Sequence, residues 1–121
     1  MSEKQNAIIT GAGRRFGLAL CEYFLAEQYD VYAITRSSSA ELSRLAAAHS
    51  SKLSIIENKD YDAEGLERVI NALTDQHYDI LINNASLFED DAPFGPQIFG
   101  QFMQSFQVHM AFPALLSQWF A

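Results

Sequence analysis

The chain has 121 residues, room for one domain, and 49% of them are hydrophobic, which supports a packed core and excludes a disordered tail. Fifteen acidic against eight basic side chains give a net charge of −7, the wrong sign for gripping a nucleic-acid backbone. The single cysteine, Cys21, can form no internal disulfide, and the opening MSEKQN lacks the basic-then-apolar layout of a secretory signal, so the expected compartment is the reducing cytoplasm.

Ala7 to Thr10 (AIIT) is a short apolar run before a glycine-rich turn, and from Phe16 the apolar residues recur as Phe16, Leu20 and Phe24, with Ala19 and Tyr23 beside them. This spacing predicts strand, loop and helix. Val31 to Thr35 (VYAIT), β-branched and aromatic, predicts a second strand, and Ser38-x-x-Glu41 then supplies a capping box for a helix through about Ala48. Lys52 to Glu57 (KLSIIE) predicts a third strand, after which Asp62 can cap a helix whose buried stripe is Leu66, Val69, Ile70 and Leu73. Asp79 to Asn83 (DILIN) predicts the fourth. Beyond a loop with Pro93, Gly95 and Pro96, a helical stretch from about Ile98 to Phe120 is expected to kink at Pro113.

Four strand–helix units in alternation imply a parallel sheet. Right-handed crossovers then put helices on both faces, giving a doubly wound (Rossmann) α/β fold with its ligand crevice at the carboxyl ends of the strands. A complete dinucleotide fold has about six strands. Residues 1–121 are therefore expected to be the nucleotide-binding part of a single larger Rossmann domain, with an open edge at the fourth strand.

The last third of the chain has a separate character. From Ala92 to Ala121 there is no Asp, Glu, Lys or Arg, and seven of the nine Phe fall between Phe88 and Phe120. A membrane span needs about 18 or more mostly apolar residues in a row, and Gln101, Gln104, Gln107, His109 and Gln118 break every such window. Burial against protein is expected instead, either against a second subunit or against more of the same polypeptide.

The chemistry gathers at strand ends. Gly11-Ala-Gly-Arg-Arg-Phe-Gly17 lies where the first strand turns into the first helix, a setting that turns backbone N–H groups toward a phosphate. The competing reading is a tight turn that needs glycine only for packing. At the end of strand two an acid would bind the ribose 2′-OH of NAD, whereas an Arg accommodates the 2′-phosphate of NADP. Here stands Arg36, followed by Ser37, with Arg14 and Arg15 adding charge, so the expected cofactor is NADPH. Arg36 could otherwise simply solvate a loop. Cys21 has nothing nearby to lower its pKa and reads as a buried small side chain. No metal-ligand spacing occurs, and Asp90-Asp91 reads as a solvated loop pair; His49 and His77, near helix C-termini, are assigned no chemistry.

Thr10-Gly11-x-x-x-Arg15-x-Gly17 resembles the T-G-x-x-x-G-x-G loop of the short-chain dehydrogenases/reductases, with Arg15 in place of the middle glycine. Asn83-Asn84-Ala85-Ser86 is similar to that family's N-N-A-G in the form used by the pteridine reductase and dihydromonapterin reductase branch, where the same Arg is found. The resemblance implies an NADPH-dependent oxidoreductase moving hydride to a carbonyl or imine, with a dihydropterin as one such substrate. It implies cofactor contacts from Gly11, Arg14, Arg15, Phe16, Gly17, Arg36, Ser37, Asp60, Tyr61, Asn84, Ala85 and Ser86, with Asp60 at the adenine ring. Arg15, Ser86 and Phe88 would meet the substrate, Phe88 by stacking on a pterin. His109 stands where the family usually has an Asn that holds a proton-relay water; the plainer reading is a satisfied core histidine.

The family's Ser and Tyr-x-x-x-Lys are not found, since no Tyr in the chain is followed by Lys four positions on. The resemblance therefore implies that this chain alone is inactive, and it implies tetramers or dimers built through the 98–120 helix. A noncatalytic NADP-binding sensor is the alternative function. A methyltransferase shares the fold but would favour an acid where Arg36 stands.

Overall fold

The computed structural model describes residues 4–13, 15–73, 76–86 and 96–121. Arg14, Phe88, the Asp90-Asp91 pair, Pro93 and Gly95 lie outside the described residues.

Four strands, β1 (Asn6–Thr10), β2 (Asp30–Thr35), β3 (Leu53–Glu57) and β4 (Ile80–Ile82), alternate with helices α1 (Arg15–Ala26), α2 (Ala40–Ala48) and α3 (Ala63–Ala72). After β4 come α4 (Pro96–Phe106), a π-helical turn (Gln107–Ala111) and α5 (Phe112–Phe120). The strands pair in parallel in the order β3-β2-β1-β4. This is the expected Rossmann-type arrangement, with β1 at the centre and Ala7 facing Val31 on one side and Ile80 on the other.

A central strand of a parallel sheet is covered on both faces, which is why all five residues of β1 are buried and why its sequence runs apolar rather than alternating. The two faces hold separate cores. Ala7, Ile9, Val31 and Ala33 pack with Cys21, Phe24 and Leu25 of α1 and Leu42 of α2. Ile8 and Ile34 point the other way, to Val69 of α3 and Phe112 and Leu116 of α5. Helices on both faces make the sheet doubly wound.

Several boundaries differ from the sequence-based expectation for physical reasons. The N-cap of α2 is Ser39, not Ser38: Ser39 has extended backbone and accepts the Leu42 N–H at 3.0 Å, while Ser38 pairs with the Ser43 hydroxyl at 2.8 Å. Asp62 caps α3 as expected, accepting the Gly65 N–H at 2.8 Å. The fourth strand stops at Ile82, because the N–H groups of Asn84 and Ala85 turn to the Thr10 hydroxyl instead of a strand partner. The expected break at Pro113 takes the form of the π turn just before it. There the Phe112 N–H reaches back five residues to the Gln107 carbonyl, and Pro113 has no N–H to offer the next one. His77 is not a helix-end residue; its Nε2 lies 3.1 Å from the Asp79 carboxylate beside β4. His49 is the C-cap of α2. Among the described residues no helix is long and apolar enough to cross a membrane, and no group of three potential metal ligands occurs.

Candidate functional site

The carboxyl ends of β1, β2 and β4 converge on the glycine loop. Gly11 has φ +65°, and a Cβ there would meet the Ala85 backbone at 2.8 Å. At Gly17 a Cβ would lie 1.9 Å from the Gly11 carbonyl oxygen, and at Gly13 it would lie 2.7 Å from the Thr35 hydroxyl. Each glycine is therefore required by close approach of backbone or neighbouring side chains, and the turn sits at the N-terminus of α1, where N–H groups lack intrahelical acceptors. The packing reading and the phosphate reading of these glycines are compatible here.

Side-chain hydroxyls bolt this loop in place. Thr10 is 2% exposed, and its oxygen accepts the N–H of Asn84 at 2.9 Å and of Ala85 at 3.0 Å. Asn84 returns the contact, its Nδ2 donating to the Gly11 carbonyl at 3.1 Å. On the other flank Ser39 donates to the Gly13 carbonyl while capping α2, and Thr35 donates to the Ser37 carbonyl at 2.8 Å. Thr35 and Ser39 do not stand out as site residues in the sequence, and Thr10 figures there only as the first residue of the glycine-loop motif. A hydroxyl residue at a strand end or helix cap is common, and only the fold reveals which loop it holds.

Arg15 follows in left-handed backbone, φ 55°, at the position where the resembled family has glycine. That conformation is costly for a side chain with a Cβ. Arg15 and Phe16 are both exposed, Phe16 by 66%, and Gly17 is buried. Ser86 is exposed at the end of the β4 segment, Asn84 and Ala85 being half-buried.

A cavity of about 220 Å³ opens beyond the carboxyl ends of β2 and β3. Arg36 and Lys59 line it together with Asp60 and Tyr61, and α4 and the π turn close it with Gln104, Gln107 and Val108. Tyr61 is buried, stacked edge-to-face on Phe112 at 4.9 Å; burial pushes its hydroxyl above the usual tyrosine range, and the nearby Arg36 opposes that shift. The Asp60 carboxylate is held by Arg68 at 2.7 Å. Lys59, Gln104 and Gln107 were not singled out by sequence reasoning. Gln104 and Gln107 had been noted only as interruptions of an apolar helix.

His109 is exposed on the π turn, with the Ser105 hydroxyl 3.0 Å from its Nδ1. It is not a core histidine. Cys21 is fully buried, and desolvation pushes its thiol up to about 12, so it takes no part in chemistry.

A parallel sheet of this order with a glycine loop between β1 and α1 defines a Rossmann-type α/β unit. The short chain dehydrogenase family model matches residues 5–120, and the chain belongs to that family. Solved structures agree in fold. A short-chain dehydrogenase/reductase from Burkholderia vietnamiensis superposes with TM-score 0.81 at 23% identity, covering 98% of this chain and 58% of its own. A carbonyl reductase from Pseudomonas aeruginosa PAO1 gives 0.79 at 28% identity, covering 94% and 54%. The alternative dihydrofolate reductase FolM of Brucella canis, complexed with NADP, gives 0.77 at 23%, covering 94% and 46%. The chain thus spans about half the length of these structures. A search of curated proteins finds no sequence match.

The residues present fit a dinucleotide. Gly11, Gly13 and Gly17 allow no Cβ, so backbone can approach a diphosphate at the head of α1, and Arg36 stands over the cavity at the end of β2 with no ion pair among the described residues.

Proposed function

We propose that this chain is the nucleotide-binding part of an NADP-dependent reductase, residues 1–121 forming the first portion of one Rossmann domain. The observation that carries the reading is Arg36: an exposed guanidinium, without an ion pair among the described residues, lining the cavity where an NAD-type site has an acid. The FolM neighbour, solved with NADP, supports it. Bound NADPH supplies the hydride. The chain's own residues do the holding: the Gly11–Gly17 loop and Arg15 at the diphosphate, Phe16 beside it, Arg36 and Ser37 at the 2′-phosphate, Asp60 and Tyr61 at the adenine. Asn84, Ala85 and Ser86 serve the nicotinamide side. His109, exposed next to Ser105, is assigned to holding a relay water.

The substrate class follows from Arg15. A cation in left-handed backbone replaces the family's glycine and suits an electron-rich, hydrogen-bonding ring such as a dihydropterin, with Ser86 as a further contact and Phe88 as its stacking partner. The test of the cofactor reading is titration with NADPH and NADH. We expect NADPH to bind at least about tenfold more tightly, and Arg36→Glu to reverse the order. Equal affinities in the parent would defeat the reading.

The alternative reading is an NADP-binding sensor without turnover. On either reading the 121 residues bind NADPH and oxidise none; measurable oxidation by this chain would overturn both. We propose also that a second copy covers α4. Phe99, Phe102, Met103, Phe106 and Met110 recur at helical spacing and are all exposed, Phe99 by 69% and Phe102 by 68%. Light scattering is expected to report a dimer or tetramer, and a monomer would remove this assignment. Neither nucleic acid nor membrane is a proposed partner, and the cytoplasm is the proposed compartment.

A further inference from the structure

We propose that Lys59 is a second determinant of the 2′-phosphate, acting beside Arg36; the inference rests on the NADP reading above. Of the two acids lining the cavity, Asp60 faces Arg68 at 2.7 Å, and Asp62, through Oδ1, accepts the Gly65 N–H at 2.8 Å as the N-cap of α3. The two cations lining the same cavity, Arg36 and Lys59, make no ion pair or side-chain hydrogen bond among the described residues, whereas Lys4 and Arg68 do. Both cations thus stand without an anionic partner among the described residues, on a chain whose net charge is −7.

The backbone brings the two residues to adjacent strand ends. The Asn58 N–H donates to the Thr35 carbonyl at 2.8 Å, so the residues that follow each, Lys59 and Arg36, leave the ends of β3 and β2 side by side. Asn58 is 4% exposed and its Nδ2 donates to the Asp60 carbonyl at 2.7 Å, closing the turn around Lys59. Gly65 seals the turn from below, since a Cβ there would lie 1.7 Å from the Asp60 oxygen. Arg36 and Lys59 line one cavity, and a dianionic phosphate placed there is bound by both. Arg36 offers a planar fork and Lys59 a point charge, a pairing that recognises a phosphate rather than a ribose hydroxyl.

The experiment uses ligands that need only this end of the site. Adenosine 2′,5′-bisphosphate and 5′-AMP, which differ by the 2′-phosphate, are titrated calorimetrically into the parent chain, Lys59→Gln and Lys59→Arg. Lys59 is exposed, so neither substitution disturbs the core. Loss of one charge-assisted contact is expected to weaken the bisphosphate about five- to tenfold in K59Q and to leave 5′-AMP within about twofold, with K59R close to the parent. Equal losses for both nucleotides, or none for either, would overturn the role of Lys59 while leaving the NADP reading intact. A parent chain that does not prefer the bisphosphate would overturn that reading, and Lys59's role with it.

Discussion

Replacing Thr10 by Val keeps the shape of a buried, β-branched strand residue and removes only its oxygen. That oxygen is the acceptor for two backbone N–H groups, at 2.9 Å from Asn84 and 3.0 Å from Ala85, and sits 3.5 Å from the Ile82 carbonyl. A buried donor left without an acceptor costs about 1–3 kcal/mol. Ala85 and Asn84 are half-buried, so water recovers part of this, and the sum expected is about 2–4 kcal/mol. Against a total stability of about 5–15 kcal/mol for a domain, that lowers the melting temperature by roughly 10 °C. Circular dichroism on heating measures it. Thr10→Ser keeps the oxygen and deletes one methyl, so it is expected to retain most of the stability and to bind NADPH nearly as well as the parent. If T10V melts within about 2 °C of the parent, or T10S falls as far as T10V, the hydroxyl is not what ties the β4 end to the glycine loop.

Two glycine substitutions should differ in sign. Gly17→Ala forces a Cβ to 1.9 Å from the Gly11 carbonyl and is expected to cost about 3 kcal/mol and abolish NADPH binding, while Gly100→Ala meets nothing within 4 Å and should stabilise by up to about 1 kcal/mol; chemical denaturation of both checks the contrast. Gln28 ends α1 at φ 71°, where the Tyr29 N–H bonds the Phe24 carbonyl at 2.9 Å, so Gln28→Gly is expected to raise stability by about 0.5–1 kcal/mol, and a loss would refute the strain argument. Burial pushes the Cys21 thiol up to about 12 in the fold from an ordinary value of 9.0. The unfolded chain therefore releases the proton first. This contribution to stability is complete below the ordinary value and is lost as pH rises toward 12, and the thiol should ignore disulfide reagents at neutral pH until the chain is unfolded.

The fold was legible because parallel strands buried on both faces are written as compact apolar runs, and AIIT, VYAIT, LSIIE and ILI each stand between polar or glycine-rich segments. Arg36 was equally legible as the residue that ends strand two, and the structure puts it in the cavity lining. What the sequence did not disclose were contacts made across long separations. Thr10 and Asn84 are 74 residues apart, and Ser39 and Gly13 are 26 apart, so nothing local marks either pair. The Ser38 and Ser39 hydroxyls are interchangeable in a capping pattern until the backbone decides which one is extended. His109 misled for a related reason: neighbours on an apolar helix say how hydrophobic the segment is, not which way the residue faces.

The facing of that helix also bears on assembly. The buried seam of α5 and the π turn is Val108, Phe112 and Leu116, and it packs on the sheet with Tyr61 and Val69. The apolar residues Phe99, Phe102 and Phe106 of α4 and Met110 of the π turn run along a different seam, which faces outward. A chain carrying −7 repels copies of itself over most of its surface. Over this seam it does not, because no Asp, Glu, Lys or Arg occurs from Ala92 to Ala121. Two copies meeting through α4 bring apolar surface together with no like charge to desolvate, and a twofold axis lets the same residues serve both sides. Placing a charge on the seam should then act twice per contact: Phe102→Glu is expected to dissociate the assembly while leaving the melting temperature of the separated chain nearly unchanged, since Phe102 is already exposed by 68%. An assembly that survives F102E would mean that copies meet through another face.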